Sequence, residues 1–311
     1  MAVSDSAAVK PFSGVFTPIV TPFTSDDTVD EGALRRNVDR WMKTPLTGLV
    51  VLGSNGEAAQ LEDEEADRVI EIVRERVPSG RPLLAGTGRE STKATIAANA
   101  RAAAAGIDAV LVRTPSFFKA QMSADVFVRH YTEVADASPV PVLLYNVTMF
   151  TGVTLHPEAV ERLATHPNIV GMKESGGDIG YISELVSRTP DDFTVLAGSA
   201  TTYFHALCAG CDGGILALAA LLPEACVRMQ TLVREQRLAE ARVLQHWVTP
   251  LARSVGSTFG VAGLKAALDL IGYSGGVPRP PLRKAPSHVI ETISSQLAAL
   301  GAFKELAAEI H

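Results

Sequence analysis

Short β-rich runs alternate with longer segments of helical periodicity along most of this chain. The eight β-rich runs lie at 14–20, 48–52, 82–85, 109–112, 140–145, 169–172, 193–197 and 214–218. Strands separated by helices pair in parallel, because each return connection needs a crossover. Eight successive units of this size favour a closed (β/α)8 TIM barrel, an α/β fold, over an open doubly wound sheet.

The helical segments between and after these runs carry recognisable start and stop signals. Asp30, Ser91 and Ser123 precede three of them and are predicted to cap their first turns. The helical patterns lie at 34–42, 64–77, 92–105, 124–137 and 157–163, and then at 238–251, 260–270 and 287–300. The stretch 272–286 is too rich in glycine and proline to be helical. We therefore expect a catalytic barrel over 11–235 and a C-terminal helical extension over 236–311.

The charge and the cysteine content limit which binding partners and which cellular compartment fit this protein. The net charge is −6 and no basic cluster is present, which argues against nucleic acid or an anionic membrane as the main partner. Three cysteines, an odd number, suggest reduced thiols. The N-terminal ten residues resemble no targeting segment, and the most apolar run, 215–222, is too short to cross a bilayer. We expect a soluble cytoplasmic protein.

The sixth β-rich run ends in a lysine, Lys173, just before a Ser-Gly-Gly turn. A charged amine at the end of an apolar strand is unfavourable to bury unless it is paired, neutral or used chemically. Apolar surroundings lower the pKa of a lysine, and a lowered pKa is what a nucleophilic amine requires. The alternatives are a lysine that points to solvent or one that pairs with Glu174.

Two other predicted strands also end in residues suited to chemistry on a ketone. The second leads into Ser54 and Asn55, and the fifth ends at Tyr145, on the strand beside that of Lys173. An amine can form a Schiff base with a ketone, and a phenol can carry the protons. The Gly-Ser-Asn-Gly turn offers N–H groups and small polar side chains to a neighbouring carboxylate. The alternative is a tight turn with Asn55 at positive φ.

Five strings, in order along the chain, resemble the pyruvate-dependent class I aldolases. They are GSNGE (53–57), PVLLYNV (141–147), NIVGMKESGGD (168–178), VLAGSA (195–200) and FGVAGLK (259–265). This family includes dihydrodipicolinate synthase, N-acetylneuraminate lyase and 4-hydroxy-2-oxoglutarate aldolase. The resemblance implies a (β/α)8 barrel with a C-terminal helical domain, assembled as a homotetramer. Its partners would be a small 2-keto acid (pyruvate) and an aldehyde.

By motif position, the resemblance implies a role for each strand-end residue. Lys173 would form the Schiff base and Tyr145 would transfer protons. Ser54 and Asn55 would bind the pyruvate carboxylate and relay protons. Two further positions match backbone groups that line the pyruvate pocket, Gly198 and Ile215. A protonated imine is itself the electron sink, so we expect neither a cofactor nor a metal ion.

Several positions depart from the synthases of this family. Phe150 stands where the synthases carry an arginine that binds the second substrate. Phe117 and Phe118 replace a tyrosine pair, one member of which reaches a neighbouring subunit's site. Ser54 and Asn55 stand where the synthases carry two threonines, as in the 4-hydroxy-2-oxoglutarate aldolases, and Ser175 also fits that subgroup. The alternative for Ser175 is a helix cap at the turn that follows.

The predicted reaction is cleavage of 4-hydroxy-2-oxoglutarate to pyruvate and glyoxylate through a pyruvate enamine. The three phenylalanines are more apolar than a dicarboxylate site requires, so a less polar aldehyde is an alternative, as is the dihydrodipicolinate synthase reaction. Arg113 could supply a compensating cation or form a salt bridge. A catalytically inactive 2-keto-acid-binding relative is the non-enzyme alternative.

Two other enzyme classes fit the sequence poorly. The loop 86–91 resembles a dinucleotide-binding loop but lacks its third glycine and follows the wrong strand. The histidines are scattered along the chain rather than spaced as metal ligands. We therefore disfavour a nicotinamide-dependent reductase and a metal-dependent aldolase.

Overall fold

A computed structural model describes residues 10–309 of the chain, with side chains up to residue 301. Residues 1–9, on which the expectation of no targeting segment rests, lie outside this range. The eight strands are β1 (Gly14–Pro18), β2 (Gly48–Val51), β3 (Leu83–Gly86), β4 (Ala109–Arg113), β5 (Val142–Asn146), β6 (Ile169–Glu174), β7 (Thr194–Ala197) and β8 (Gly213–Ile215). They pair in parallel in sequence order, and β8 closes on β1. The predicted (β/α)8 barrel is confirmed.

Helices fill the connections between the strands. They are α1 (Glu31–Trp41), α2 (Asp63–Arg76), α3 (Thr92–Ala104), α4 (Ala124–Ala137), α5 (Thr148–Thr151), α6 (Pro157–Leu163), α7 (Ile179–Arg188), α8 (Tyr203–Cys208) and α9 (Pro223–Arg234). The bounds of α4 and α6 are those predicted. The structure adds α5, α7, α8 and α9 to the helices named from the sequence.

Side-chain caps fix several of the helix starts. Asp30, Ser91 and Ser123 each accept a hydrogen bond from the backbone N–H three residues further on, at 2.8, 3.1 and 3.4 Å. All three predicted caps are confirmed. The capping box at the start of α2, formed by Glu62 and Glu65, was not predicted.

The barrel strands are buried on both faces, which explains why they read as apolar runs rather than as alternating patterns. Side chains such as Phe16, Val50 and Leu143 fill the barrel interior. A larger cluster fills the layer between the strands and the outer helices. Strand β8 is shorter than predicted because residues 217–220 turn into a short 3-10 helix.

Three helices follow the barrel, namely α10 (Leu238–Arg253), α11 (Gly260–Leu270) and α12 (Ser287–Glu309). Helix α11 has the predicted bounds, and residues 272–286 between α11 and α12 contain no helix, as predicted. A π-helical turn, Ser254–Thr258, continues from α10 and was not predicted. Helix α10 packs against α9, and α12 packs against α10 and α11. Within residues 10–309, no helix is long and apolar enough to cross a bilayer.

One buried histidine gives the fold a pH dependence. His130 on α4 is only 5% exposed, and its Nδ1 lies 2.9 Å from the Thr92 hydroxyl. Burial lowers the pKa of His130 to about 4. The folded-state pKa is thus below the ordinary value near 6.5, so the unfolded chain binds the proton first as the pH falls.

We expect a His130→Gln variant to lose less stability in acid than the wild type. Between about pH 7 and pH 4, the free energy of unfolding of the wild type should fall by about 3 kcal/mol more than that of the variant. Urea unfolding at a series of pH values measures this difference. If the free energies of unfolding of the two proteins changed equally with pH, His130 would not be the source of this pH dependence.

Candidate active site

A cavity of about 270 Å³ opens at the carboxyl ends of the barrel strands. This is the end of the barrel where enzymes of this fold place their active sites. The residues that the sequence singled out as site residues all line this cavity: Ser54, Asn55, Tyr145, Phe150, Lys173, Ser175, Gly198 and Ile215. The structure therefore brings together the ends of β2, β5, β6, β7 and β8 around one space.

Lys173 and Tyr145 form the centre of the cavity. They are register partners on the neighbouring strands β6 and β5, and each is 6% exposed. The Nζ atom of Lys173 lies 4.4 Å from the centroid of the Tyr145 ring. The predicted approach of an amine and a phenol at matching heights is confirmed. A lysine pointing freely to solvent is excluded by this burial.

Glu174, the other suggested partner of Lys173, is directed elsewhere. Successive side chains of a strand point to opposite faces. The Glu174 carboxylate accepts a 2.7 Å hydrogen bond from Asn146 Nδ2 and a second one from the backbone N–H of Gly176. Burial raises the pKa of Glu174, although both hydrogen bonds oppose this shift. Glu174 therefore braces the loop after β6.

The turn after β2 brings a hydroxyl to Tyr145. Ser54 Oγ lies 3.4 Å from Tyr145 Oη, a long hydrogen bond that can shorten when a ligand binds. Residues Ser54–Gly56 form one 3-10 turn, and Thr21 Oγ1 donates to the Gly56 carbonyl at 2.7 Å. The residues with positive φ here are Leu52, at 56°, and Glu57, at 57°, so the suggestion that Asn55 adopts positive φ was wrong.

Ser175 and Gly198 pack tightly on the opposite wall. A Cβ atom on Gly198 would lie 1.9 Å from Ser175 Oγ, so only glycine fits there. The Gly198 N–H donates to the Glu174 carbonyl at 2.6 Å. The cap of the following helix, α7, is Asp178, whose carboxylate accepts from the Tyr181 N–H. The alternative that Ser175 is the helix cap was wrong, because Asp178 fills that position.

The mouth of the cavity is apolar. Met149 and Phe150 on α5 line it and are 63% and 62% exposed. Among the lining residues, all within the part of the chain that the structure describes, Lys173 is the only one of the lysine, arginine, histidine, aspartate and glutamate types. Among the residues that line the cavity, no second cation is therefore available to another carboxylate bound at the mouth.

Arg113 does not supply that cation, because it is held in an ion pair. Its guanidinium lies 2.7 Å from Glu90 Oε1, so the salt-bridge alternative is confirmed. The other Glu90 oxygen accepts the backbone N–H groups of Ser116 and Phe117, each at 2.8 Å. Phe117 and Phe118 are 78% and 64% exposed and pack edge to face. Neither ring lines the cavity.

Sequence reasoning missed part of the cavity wall. Ser199 and Thr201, which follow β7, line it and lie within 2.8 Å of each other through their hydroxyls. In the sequence, the hydroxyl residues that follow the predicted seventh strand could have indicated this part of the wall. Gly256 and Ser257 reach the cavity from the π-helical turn of the C-terminal region. The break in helical periodicity at this turn was the only hint of their position.

This arrangement places an amine, a phenol and a hydroxyl in one contiguous row. Lys173 can add to a carbonyl carbon, and Tyr145 lies close enough to donate or accept protons during that addition. Ser54 can pass protons onward or orient the phenol. The chemistry that such a row supports is Schiff-base catalysis on a small carbonyl compound.

Comparison with known proteins agrees with this chemistry. The model of the dihydrodipicolinate synthetase family matches residues 11–300. The 4-hydroxy-tetrahydrodipicolinate synthase of Methanopyrus kandleri is 34% identical over 294 residues, which are 94% of this chain and 97% of the relative.

Solved structures extend the similarity to the whole fold. The dihydrodipicolinate synthase of Thermotoga maritima superposes with a TM-score of 0.89 at 30% identity, over 93% of this chain and 99% of the other. The chloride-inhibited dihydrodipicolinate synthase of Acinetobacter baumannii, solved as a complex with pyruvate, gives 0.89 at 28% identity, over 94% and 99%. The chain belongs to the dihydrodipicolinate synthetase family and is a pyruvate-dependent aldolase of that family.

Proposed function

We propose that this enzyme joins pyruvate to an aldehyde, or cleaves the product, through an imine formed on Lys173. The observation that carries this proposal is the buried contact between the Lys173 amine and the Tyr145 ring, with the Ser54 hydroxyl at the phenol. The pyruvate complex of the Acinetobacter baumannii enzyme supports the choice of keto acid.

In the proposed reaction, Lys173 Nζ attacks the keto carbon of pyruvate and water leaves, which gives a protonated imine. The released water accepts a proton from the methyl carbon, which gives an enamine, and this carbon attacks the aldehyde carbonyl. Tyr145 donates the proton that the new alkoxide takes up, and it accepts the same proton in the cleavage direction. Ser54 and Asn55 bind the pyruvate carboxylate, and water releases the product from the lysine.

Other site residues would shape the keto-acid pocket. Gly198 and Ile215 line its inner wall, where any larger side chain at Gly198 would collide with Ser175. Ser175 offers a hydroxyl to the same space. Phe150 at the mouth would contact the aldehyde rather than pyruvate.

The identity of the aldehyde separates two candidate reactions. The similar curated proteins are called 4-hydroxy-tetrahydrodipicolinate synthase, which favours condensation with aspartate semialdehyde over the cleavage of 4-hydroxy-2-oxoglutarate that the sequence strings suggested. The apolar mouth at Met149 and Phe150 favours a less polar aldehyde instead. We place the synthase reaction first and the less polar aldehyde second.

A panel of aldehydes separates these candidates. Purified enzyme is incubated with pyruvate and aspartate semialdehyde, glyoxylate or a small aliphatic aldehyde, and pyruvate consumption is followed. The cleavage direction is measured with 4-hydroxy-2-oxoglutarate by pyruvate release. Highest kcat/KM with aspartate semialdehyde supports the first candidate, and highest kcat/KM with the aliphatic aldehyde supports the second. No turnover with any of them would favour the inactive, 2-keto-acid-binding alternative.

We expect Phe150→Arg to shift the preference toward charged aldehydes. A guanidinium at the mouth can form a charge-assisted hydrogen bond with a distal carboxylate. The ratio of kcat/KM for aspartate semialdehyde to that for the aliphatic aldehyde should rise about 10- to 100-fold. Val243→Arg, which adds the same charge at an exposed site outside the cavity, is the matched control. An equal change for both aldehydes would remove Phe150 from the specificity argument.

We also propose, from the family resemblance, a cytoplasmic homotetramer in which 11–235 form the catalytic barrel and 236–311 the helical extension. Sedimentation velocity measures the oligomeric state directly.

A further inference from the structure

A buried ion pair links the keto-acid site to the C-terminal helices. Lys265 Nζ on α11 lies 2.5 Å from Glu57 Oε1, and the side chains are 1% and 0% exposed. Glu57 follows directly after Ser54–Gly56, the turn that carries two of the cavity-lining residues. Lys265 lies more than two hundred residues further along the chain, so tertiary packing alone creates this pair.

Each partner of the pair is held by further contacts. The second Glu57 oxygen accepts the backbone N–H of Arg279 at 2.8 Å. Lys265 Nζ donates to the Val277 carbonyl at 3.1 Å and lies 4.6 Å from the centroid of the Phe23 ring. Burial lowers the pKa of Lys265, and the Glu57 carboxylate opposes that shift. Removing one charge would leave the other buried without its partner, a strongly unfavourable state.

The backbone at Glu57 depends on this anchoring. Its φ of 57° lies in the left-handed region, which residues other than glycine adopt uncommonly. Such conformations persist where the surrounding structure holds them. Here Lys265 and the Arg279 N–H hold the Glu57 carboxylate, and Glu57 is the residue that ends the turn Ser54–Gly56.

A second set of contacts ties the same loop to the same C-terminal segment. Gln60 Nε2 donates to the Arg279 carbonyl at 3.0 Å, and the Arg279 guanidinium donates back to the Gln60 carbonyl at 3.0 Å. Arg279 also pairs with Glu65 at 2.6 Å. The loop after β2 is therefore tied to the C-terminal region at Glu57 and again, three residues later, at Gln60.

We propose that Lys265 is a positioning residue of the keto-acid site: through Glu57, it holds Ser54 and Asn55 where they bind the carboxylate of pyruvate. The inference rests on the proposed function, in which that turn receives the carboxylate. Lys265 itself would not contact pyruvate. It would connect the C-terminal region to pyruvate binding through the position of this turn.

The test removes each charge while keeping the side-chain size. Lys265→Met and Glu57→Gln should each raise the KM for pyruvate about tenfold or more, because displaced Ser54 and Asn55 make weaker hydrogen bonds to the carboxylate. The KM for the aldehyde should change much less. At saturating pyruvate, borohydride should still trap the adduct, because Lys173 is intact.

The double variant Glu57→Gln/Lys265→Met separates an effect of the ion pair from loss of either side chain. It leaves no unpaired buried charge, and the glutamine oxygen can still accept the Arg279 N–H. We expect its KM for pyruvate to lie closer to the wild-type value than that of Lys265→Met. If the fold-changes of the two single variants instead multiply in the double variant, the two side chains act independently, and the role of the charge pair is overturned.

Tyr131→Phe controls for general destabilisation, because it removes a buried hydrogen bond to the Val112 carbonyl and neither residue lines the cavity. Suppose that Lys265→Met and Tyr131→Phe both lower the melting temperature, but the KM of Lys265→Met for pyruvate equals the wild-type value. The Lys265–Glu57 ion pair is then only structural, and the proposal is overturned. If Lys265→Met fails to fold, an unchanged KM in Glu57→Gln has the same meaning. Absence of a trapped adduct in the wild type would instead refute the proposed function.

Discussion

Replacing Lys173 with alanine should abolish catalysis. Without the amine no imine forms, and the enamine that makes pyruvate a nucleophile is lost. We expect turnover to fall on the order of 10⁴-fold or more, to the background of the assay. Coupled measurement of pyruvate consumption or release, with the best aldehyde from the panel, provides the rate.

Lys93→Ala is the matched control for this substitution, because it removes an exposed amine on α3. Its turnover should equal that of the wild type. Circular dichroism and thermal unfolding verify that both variants are folded. Near-normal turnover by folded Lys173→Ala would end the proposal of Schiff-base catalysis at this residue.

Replacing Tyr145 with phenylalanine should lower kcat about 10²- to 10⁴-fold, because the proton of the alkoxide loses its donor and acceptor. The ring contact with Lys173 survives in this variant, so pyruvate should still be trapped by borohydride. Single-turnover and steady-state rates, compared with the wild type, separate imine formation from carbon–carbon bond chemistry.

Tyr131→Phe again serves as the control, since it removes a buried phenol hydroxyl outside the cavity. It should reduce the free energy of unfolding by about 1 kcal/mol and leave kcat unchanged. Equal kcat values for Tyr145→Phe and the wild type would reassign the proton transfer, with Ser54 the next group to test.

The sequence predicted the barrel well because its signals are local and repeated. Strand and helix periodicities differ, and the caps at Asp30, Ser91 and Ser123 mark helix starts wherever the helices later pack. The proximity of Lys173 and Tyr145 was also predictable, because parallel neighbours end at the same edge.

Features that depend on long-range packing were not predictable in the same way. The partner of Glu57 is Lys265, and nothing near either residue in the sequence indicates the other. The sequence predicted a break between the helices at 238–251 and 260–270, but not that a π-helical turn there brings Gly256 and Ser257 to the cavity. The sequence correctly indicated that Phe150 lines the cavity. The aldehyde that Phe150 would contact stays a prediction.

Borohydride reduction of the wild-type enzyme with pyruvate, followed by peptide mass spectrometry, tests the Lys173 imine most directly. We expect one reduced pyruvate per chain, attached to the peptide that contains Lys173, and none in Lys173→Ala. A protein that carries no adduct at saturating pyruvate, or carries it on a different lysine, would contradict the assignment.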